Sequence, residues 1–407
     1  MRFTSVLMVL TGKYAERFAK YGSYSPTPLS LKKLIAFGRS GSAVKSATFL
    51  CDELPVRLAN VMQEIHLLPE QLVSTPSASI VKQWYEQSFC DLVEFEGTNW
   101  TEGRLDSFNR RLAEIRNRHN NTVETMAQGV MEMKDRHKTD VITDNQLQYF
   151  LDRFYMMRIS LRMLINQHLL MFGSELNKHR RFVGSIDPDC NVLEILEDAY
   201  EDAKYLCEHY YLSAPEINVQ TCGASDGKIE FAYVPSHLYH ILFELLKNAM
   251  RAVAETHNQS ASLPPVDVLI AAGKENVTIK ISDLGGGVPR SVMEYIFNYT
   301  YTTAKGRSKL RDNNPASSEQ GTNAPLAGYG YGLPLSRLYA RYFNGDLILA
   351  SVEGYGTDAI VYLKRNAAEA DELLPIFNRT SARQYGPVGV PIADWSTSQY
   401  STGWKRR

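Results

Sequence analysis

The chain has 407 residues, 44% apolar and 22% charged, which is ordinary for a soluble protein and long enough for two or three domains. Its 44 basic and 45 acidic residues leave a formal net charge of −1, so there is no general electrostatic case for nucleic acid or an anionic membrane surface. The five cysteines, Cys51, Cys90, Cys190, Cys207 and Cys222, include no CxxC pair. That argues against a disulfide framework or zinc site and fits a reducing compartment, and no apolar run approaches the roughly 20 residues that span a bilayer.

In chain order, residues 1–27 form an N-terminal segment. Its start carries Arg2, Lys13 and a few Ser/Thr before the first carboxylate, Glu16, which is compatible with matrix targeting and equally with an ordinary flexible terminus. Residues 28–183 read as an all-α bundle. Apolar residues recur at helical spacing through Leu54–Ile65, Ile80–Phe95, Leu105–Val130 and Leu147–Phe172, and Pro55, Pro69 and Pro76 punctuate these helices. The texture changes at Gly184-Ser185-Ile186-Asp187-Pro188, a candidate boundary.

Over residues 184–365, helices at about 191–209 and 236–255 alternate with strands, an α+β pattern. Val266–Ala271 and Val277–Ser282 form a hairpin around Gly273-Lys274-Glu275-Asn276, and Leu347–Val352 and Asp358–Leu363 pair around Gly354-Tyr355-Gly356. Ala304–Pro325 is rich in Gly, Asn, Ser, Lys and Arg and is expected to be a mobile loop. The tail, 366–407, has weak periodicity but keeps Phe377, Tyr385, Trp395, Tyr400 and Trp404.

The chemistry concentrates in three segments. At about 100° per residue, His240, Glu244, Lys247, Asn248 and Arg251 share one arc of the helix beginning near Pro235. Leu238, Ile241, Leu242, Leu245, Leu246, Ala249, Ala252 and Val253 fill the other side, and Ser236 is a candidate cap. Alone, that stripe reads better as a solvated face. Next, Asp283 stands at a strand end before Gly285-Gly286-Gly287, where a carboxylate can accept a hydrogen bond and glycine lets the backbone approach a ligand. Last, Gly328-Tyr329-Gly330-Tyr331-Gly332-Leu333 opens a helix reaching about Tyr342, and such an N-terminus favours phosphate.

This ordered trio resembles the GHKL ATPases, named for gyrase, heat-shock chaperones, histidine kinases and MutL. Glu244–Asn248 matches their N box, Asp283–Gly287 the first glycine box, Gly328–Gly332 the second, and Thr357 the threonine near the adenine. A Rossmann fingerprint does not fit, and neither a His-Arg-Asp loop nor a Walker lysine loop is present.

The resemblance narrows to the mitochondrial pyruvate dehydrogenase kinases and covers nearly the whole chain. Its motifs include Glu53–Asn60, Ile115–Asn120, Met126–Val130, Tyr149–Arg158, Val234–Ala252, Leu326–Phe343 and Glu353–Ala359. It implies a helical bundle, a GHKL α/β sandwich and a C-terminal tail. It implies a Mg-ATP-dependent serine kinase of the mitochondrial matrix that inactivates the pyruvate dehydrogenase α subunit. It implies a homodimer that binds the lipoyl domain of the dihydrolipoyl acetyltransferase core, with no nucleic acid and no transmembrane segment.

By this resemblance Glu244 is the general base, His240 orients it, and Lys247 steadies negative charge. Asn248 ligates Mg²⁺, Asp283 reads adenine, and Arg251 lies on the nucleotide side. Gly285 and Gly287 belong to the nucleotide turn, and Thr302, Thr303 and Gly328–Leu333 to the phosphate side. Leu284 departs from a position often polar in the family, and the segment 304–325 is unusually charged, with Lys305, Arg307, Lys309 and Arg311.

A second site lies in the helical half. Arg158 and Arg162 share a helix face in an apolar segment, which is unfavourable unless an anion or carboxylate answers them. Arg116 with His119, and Tyr85 with Ser88, could converge there; internal salt bridges to Asp152 or Glu114 are the alternative. The resemblance makes these six residues an allosteric pocket for pyruvate and dichloroacetate, and His119 structural or ligand-binding in preference to a phospho-acceptor. Asp394-Trp395 resembles the tail motif by which subunits dock.

Three other readings compete, of which a degenerate nucleotide-binding scaffold is countered by intact Glu244, Asn248 and Asp283. The sister kinase of branched-chain 2-oxoacid dehydrogenase lacks the Asp-Trp tail. A GHKL ATPase without kinase activity does not explain the helical half with Arg116, His119, Arg158 and Arg162.

Overall fold

The computed structural model describes residues 13–138, 140–142, 144–173, 181–223, 228–260, 262–303, 330–378 and 381–382. The helical half begins with α1 (Lys13–Gly22), α2 (Leu31–Ser40), α3 (Ala43–Ile65) and the short α4 (Glu70–Val73), followed by α5 (Pro76–Val93). It continues with α6 (Glu102–Arg118), α7 (Thr122–His137) and α8 (Asn145–Phe172). The starts follow from sequence chemistry. Ser30, Ser42, Thr75, Thr101 and Asp144 each accept a hydrogen bond from a first-turn N–H, satisfying donors that a helix start leaves open.

Two expectations change here. The Leu105–Val130 run is two helices, because the chain turns at His119, the C-cap of α6, before α7 starts. Pro55 does not punctuate; it lies inside α3. Its neighbours Leu54 and Leu58 are buried at 0% and 1% exposure, and that packing offsets the roughly 3 kcal/mol cost of an interior proline.

A short antiparallel pair, β1 (Asp187–Asn191) with β3 (Glu230–Tyr233), opens the second half. A five-stranded sheet follows in the order β2-β4-β5-β7-β6, from β2 (Ile217–Cys222), β4 (Val266–Ala272), β5 (Asn276–Asp283), β6 (Asp346–Val352) and β7 (Gly356–Lys364). Only the β2–β4 pairing is parallel. Along β5, Val277, Ile279 and Ile281 are buried and alternate with half-exposed residues, the period-2 pattern of a sheet covered on one face.

Helices α9 (Val192–Tyr211), α10 (Pro235–Thr256) and α11 (Gly332–Tyr342) supply the cover. α10 packs on α9, α11 and β5, and α11 also packs on β6. The fold is α+β, with a helical bundle followed by a mixed sheet layered with helices. α10 begins at Pro235 without a side-chain cap, so Ser236 does not serve as one; proline suits the first helical position because its missing N–H is not needed there.

A buried charge cluster ties the halves together. Arg57 donates to both oxygens of Glu372 at 3.0 and 2.9 Å and to Glu53 at 2.8 Å. Glu372 also accepts from the Leu29 N–H and the Tyr342 hydroxyl. Arg57 and Glu372 side chains are fully buried, so the cluster is worth keeping only because every charge has a partner.

Residues 298–301 are likewise held on α8. Gln148 accepts from the Tyr299 N–H at 2.7 Å, and the Tyr299 hydroxyl donates to Asp152 at 2.9 Å. The Ala304–Pro325 expectation lies outside the described residues.

Candidate nucleotide-binding site

A cleft of about 480 Å³ opens between α10, the β5 end and the start of α11, within the size range of small-molecule sites. It is lined by Glu244, Lys247, Asn248 and Arg251 from α10, by Asp283, Gly285 and Gly287, by Thr302 and Thr303, by Gly330, Gly332 and Leu333, and by Thr357. The expected stripe of α10 therefore faces a cavity, while Leu238, Ile241, Leu242, Leu245 and Leu246 are buried.

Glu244 and Lys247 form a pair at 2.6 Å, with side chains only 14% and 10% exposed. Lys247 also stands 5.2 Å over the Phe243 ring. A Cβ at Gly332 would sit 2.1 Å from Glu244 Oε2, so any side chain there would push this carboxylate aside at the start of α11. Tyr331, the N-cap of α11, makes no side-chain cap bond. The first N–H groups of that helix thus keep their affinity for an anion.

Asp283 sits opposite Thr357 in the β5–β7 register. Burial pushes its carboxyl upward, against backbone N–H bonds from Gly285 and Thr357 that favour the charged form. The turn is packed without slack. A Cβ on Gly285 would meet Ala252, and one on Gly287, at φ +69, would lie 2.1 Å from the Val352 carbonyl oxygen. The carbonyls of Gly285 and Leu284 accept from Thr256 and His257, which anchors the turn to the end of α10. Across the cleft, Arg251 donates to Thr303 Oγ1 at 3.1 Å, and its buried Nε makes no hydrogen bond.

Two expected residues lie elsewhere. His240 does not line the cleft; its buried Nε2 makes no hydrogen bond, and its ring packs on Tyr339 at 4.7 Å. The side chain of Tyr331 is 6% exposed and packs at 5.2 Å on Tyr299 and 5.9 Å on Tyr155. It anchors the glycine segment to α8. Gly328 and Tyr329 lie outside the described residues, as do Asp394 and Trp395.

Sequence reading missed Gly356 and Ser351. A Cβ on Gly356 would be 1.9 Å from the Asp283 carbonyl oxygen, and Ser351 bonds the Val288 N–H, the Gly356 carbonyl and Thr357 Oγ1. The Gly-x-Gly spacing around Tyr355 was a usable signal, although it reads first as a plain hairpin turn.

In the helical half, Tyr85, Arg116, His119, Arg158 and Arg162 line a cavity of about 20 Å³, room for about one water. Ser88 lies behind them, bonded to His119 Nε2 at 2.9 Å. Arg158 and Arg162 reach oxygens of Asn120 at 3.2 and 3.1 Å, not carboxylates. Asp152 and Glu114 bond Tyr299 and Arg111 instead. Tyr85 Oη and Arg158 Nε are buried without hydrogen bonds. Burial first, then Arg118, Arg158 and Arg162, holds His119 down to about 3, and its Nδ1 faces Thr122. A neutral ring engaged at both nitrogens is structural or ligand-facing.

The sheet, the cleft and its helix define an ATP-binding domain of the histidine-kinase type. Residues 233–367 match the family described as histidine kinase-, DNA gyrase B- and HSP90-like ATPase. Residues 28–187 match the family described as mitochondrial branched-chain alpha-ketoacid dehydrogenase kinase.

Whole-chain relatives are more specific. A mitochondrial [pyruvate dehydrogenase (acetyl-transferring)] kinase of Drosophila melanogaster is 50% identical, covering 92% of this chain and 90% of its own. The mitochondrial isozyme 4 of Mus musculus is 51% identical at the same coverages. A probable mitochondrial kinase of the same name from Caenorhabditis elegans is 47% identical over 97% of both chains. The chain belongs to the pyruvate dehydrogenase (acetyl-transferring) kinase family, and it is an ATP-dependent kinase.

Proposed function

We propose that this chain, in the mitochondrial matrix, transfers the γ-phosphoryl group of Mg-ATP to a serine of the pyruvate dehydrogenase α subunit and so inactivates that complex. The observation that carries the reading is the convergence of Glu244, Asn248, Asp283 and the uncapped start of α11 on one cleft. The residues suit a magnesium nucleotide. Asp283 supplies a half-buried acceptor for an adenine amine, Arg251 holds its guanidinium beside Thr303 with Nε 3.8 Å from Glu255, and α11 offers open N–H groups. Asn248 offers an amide oxygen to Mg²⁺. When bound, the metal neutralises charge on the phosphate oxygens during transfer.

Glu244 then takes the serine hydroxyl proton, a role worth about 10²–10⁴-fold. Lys247, 2.6 Å away, pairs with that carboxylate and can answer negative charge on the transferred group. The basic pocket around Arg158 and Arg162 takes a small 2-oxoacid or dichloroacetate. Its unpartnered Tyr85 hydroxyl and Arg158 Nε support this, and the 20 Å³ cavity must widen to admit the ligand. Two chains pair, with Asp394 and Trp395 docking the tails and the lipoyl domain of the acetyltransferase core binding beside them. Labelled ATP offered with each of the two dehydrogenase complexes tests the substrate assignment.

A further inference from the structure

We propose that Tyr339 is the positioning residue for His240, and through it for the Glu244 base; this rests on the catalytic reading above. His237 and His240 lie one turn apart on α10, and the Tyr339 ring packs across both, with centroids at 4.8 and 4.7 Å. His237 Nδ1 and His240 Nε2 are both buried without hydrogen bonds. At these atoms no polar contact sets the ring torsions, so aromatic packing does.

Tyr339 rides on the helix whose first residue, Gly332, stands against Glu244. The same helix brings Tyr342 to His237 at 5.9 Å. α11 therefore sets the carboxylate at its start and the imidazole two turns on, and it is pinned at its far end by the bond from Tyr342 to Glu372.

The groups facing His240 are His237, Glu244 and Lys247 on its own helix, Tyr339 from α11 and Arg158 from α8. Burial lowers its pKa most; Glu244 opposes this, and Lys247 and Arg158 add to it. The imidazole is thus neutral at physiological pH and held by the Tyr339 ring one turn from the carboxylate. Removing the ring admits water, frees the torsion and lets the imidazole charge more readily.

The test measures kcat, the KM for ATP, nucleotide affinity and the kcat–pH profile for Tyr339→Ala, Tyr339→Leu and Tyr339→Phe, each also in a His240→Ala background. Tyr339→Leu keeps apolar bulk and guards against misfolding. The expected result for Tyr339→Ala and Tyr339→Leu is a kcat loss of about tenfold, with KM and nucleotide affinity within about twofold of wild type and the acid limb shifted to higher pH. Tyr339→Phe keeps wild-type rates, and none of the three lowers kcat further once His240 is alanine. An equal loss in the His240→Ala background, or parallel losses of kcat and nucleotide affinity, returns Tyr339 to a structural role. Wild-type rates in Tyr339→Ala overturn the proposal outright. If His240→Ala alone leaves kcat unchanged, it is the catalytic reading of His240 that fails.

Discussion

Glu244→Gln removes a charge and almost no volume, so its consequences separate cleanly. The carboxylate is 14% exposed and lies 2.6 Å from Lys247 Nζ. The amide oxygen still accepts from Lys247, but the largely buried ammonium loses its anion, a stability cost of about 1–3 kcal/mol. The chemical step loses its proton acceptor, which lowers transfer by about 10²–10⁴-fold, or about 3–5 kcal/mol of barrier at 1.36 kcal/mol per decade. Nucleotide affinity should stay within about threefold, because Asn248, Asp283 and the α11 N-terminus are untouched. The assay pairs single-turnover transfer from labelled ATP with an equilibrium nucleotide titration. Near-normal transfer would refute the base assignment, and a loss of affinity matching the loss of rate would make Glu244 a binding residue.

Other perturbations probe other parts of the account. Asn248→Ala should abolish Mg-ATP binding itself, read by the same titration with and without Mg²⁺; unchanged affinity removes Asn248 from the metal. Arg158→Ala should eliminate inhibition by dichloroacetate while keeping most basal activity, and equal inhibition of wild type and variant would place the inhibitor elsewhere. Glu372→Ala leaves the fully buried Arg57 with Glu53 as its remaining carboxylate and should cost about 1–3 kcal/mol in chemical unfolding. A loss under about 1 kcal/mol would show that Glu53 alone satisfies Arg57. Trp395→Ala should weaken stimulation by the lipoyl domain and spare nucleotide binding; full stimulation rejects the docking role.

The parts of the fold legible in the sequence were those with strong periodicity. α8, α10 and the β4–β5 and β6–β7 hairpins lie within a few residues of their expected bounds, because long apolar stripes and Gly-bounded alternation leave little ambiguity. β1 and β3 are short, with a pairing irregularity between Asp187 and Cys190, and β2 has an almost wholly exposed edge-strand pattern. β2 buries no side chain, and the alternation of β3 is limited to Phe231 and Tyr233, too short a run to tell from a turn.

In the site, α10 announced its polar stripe, but sequence alone cannot say which members face the same cavity. His240 sits in the stripe yet turns to Tyr339, a residue on another helix. The tight approaches at Gly332 and Gly356 depend on which elements meet, which a single strand or helix does not encode. The Arg57–Glu372 pair joins distant parts of the chain and is invisible to any local pattern.

The central claim is a phosphoryl transfer with a particular acceptor. One measurement addresses it directly: the protein is incubated with labelled ATP and Mg²⁺ and, in parallel, intact pyruvate dehydrogenase complex or branched-chain 2-oxoacid dehydrogenase complex, and label on each α subunit is followed with time. The account predicts label on a serine of the pyruvate dehydrogenase α subunit, with loss of that complex's activity and little label on the other. Preferential labelling of the branched-chain subunit, or ATP hydrolysis with neither subunit labelled, would contradict it.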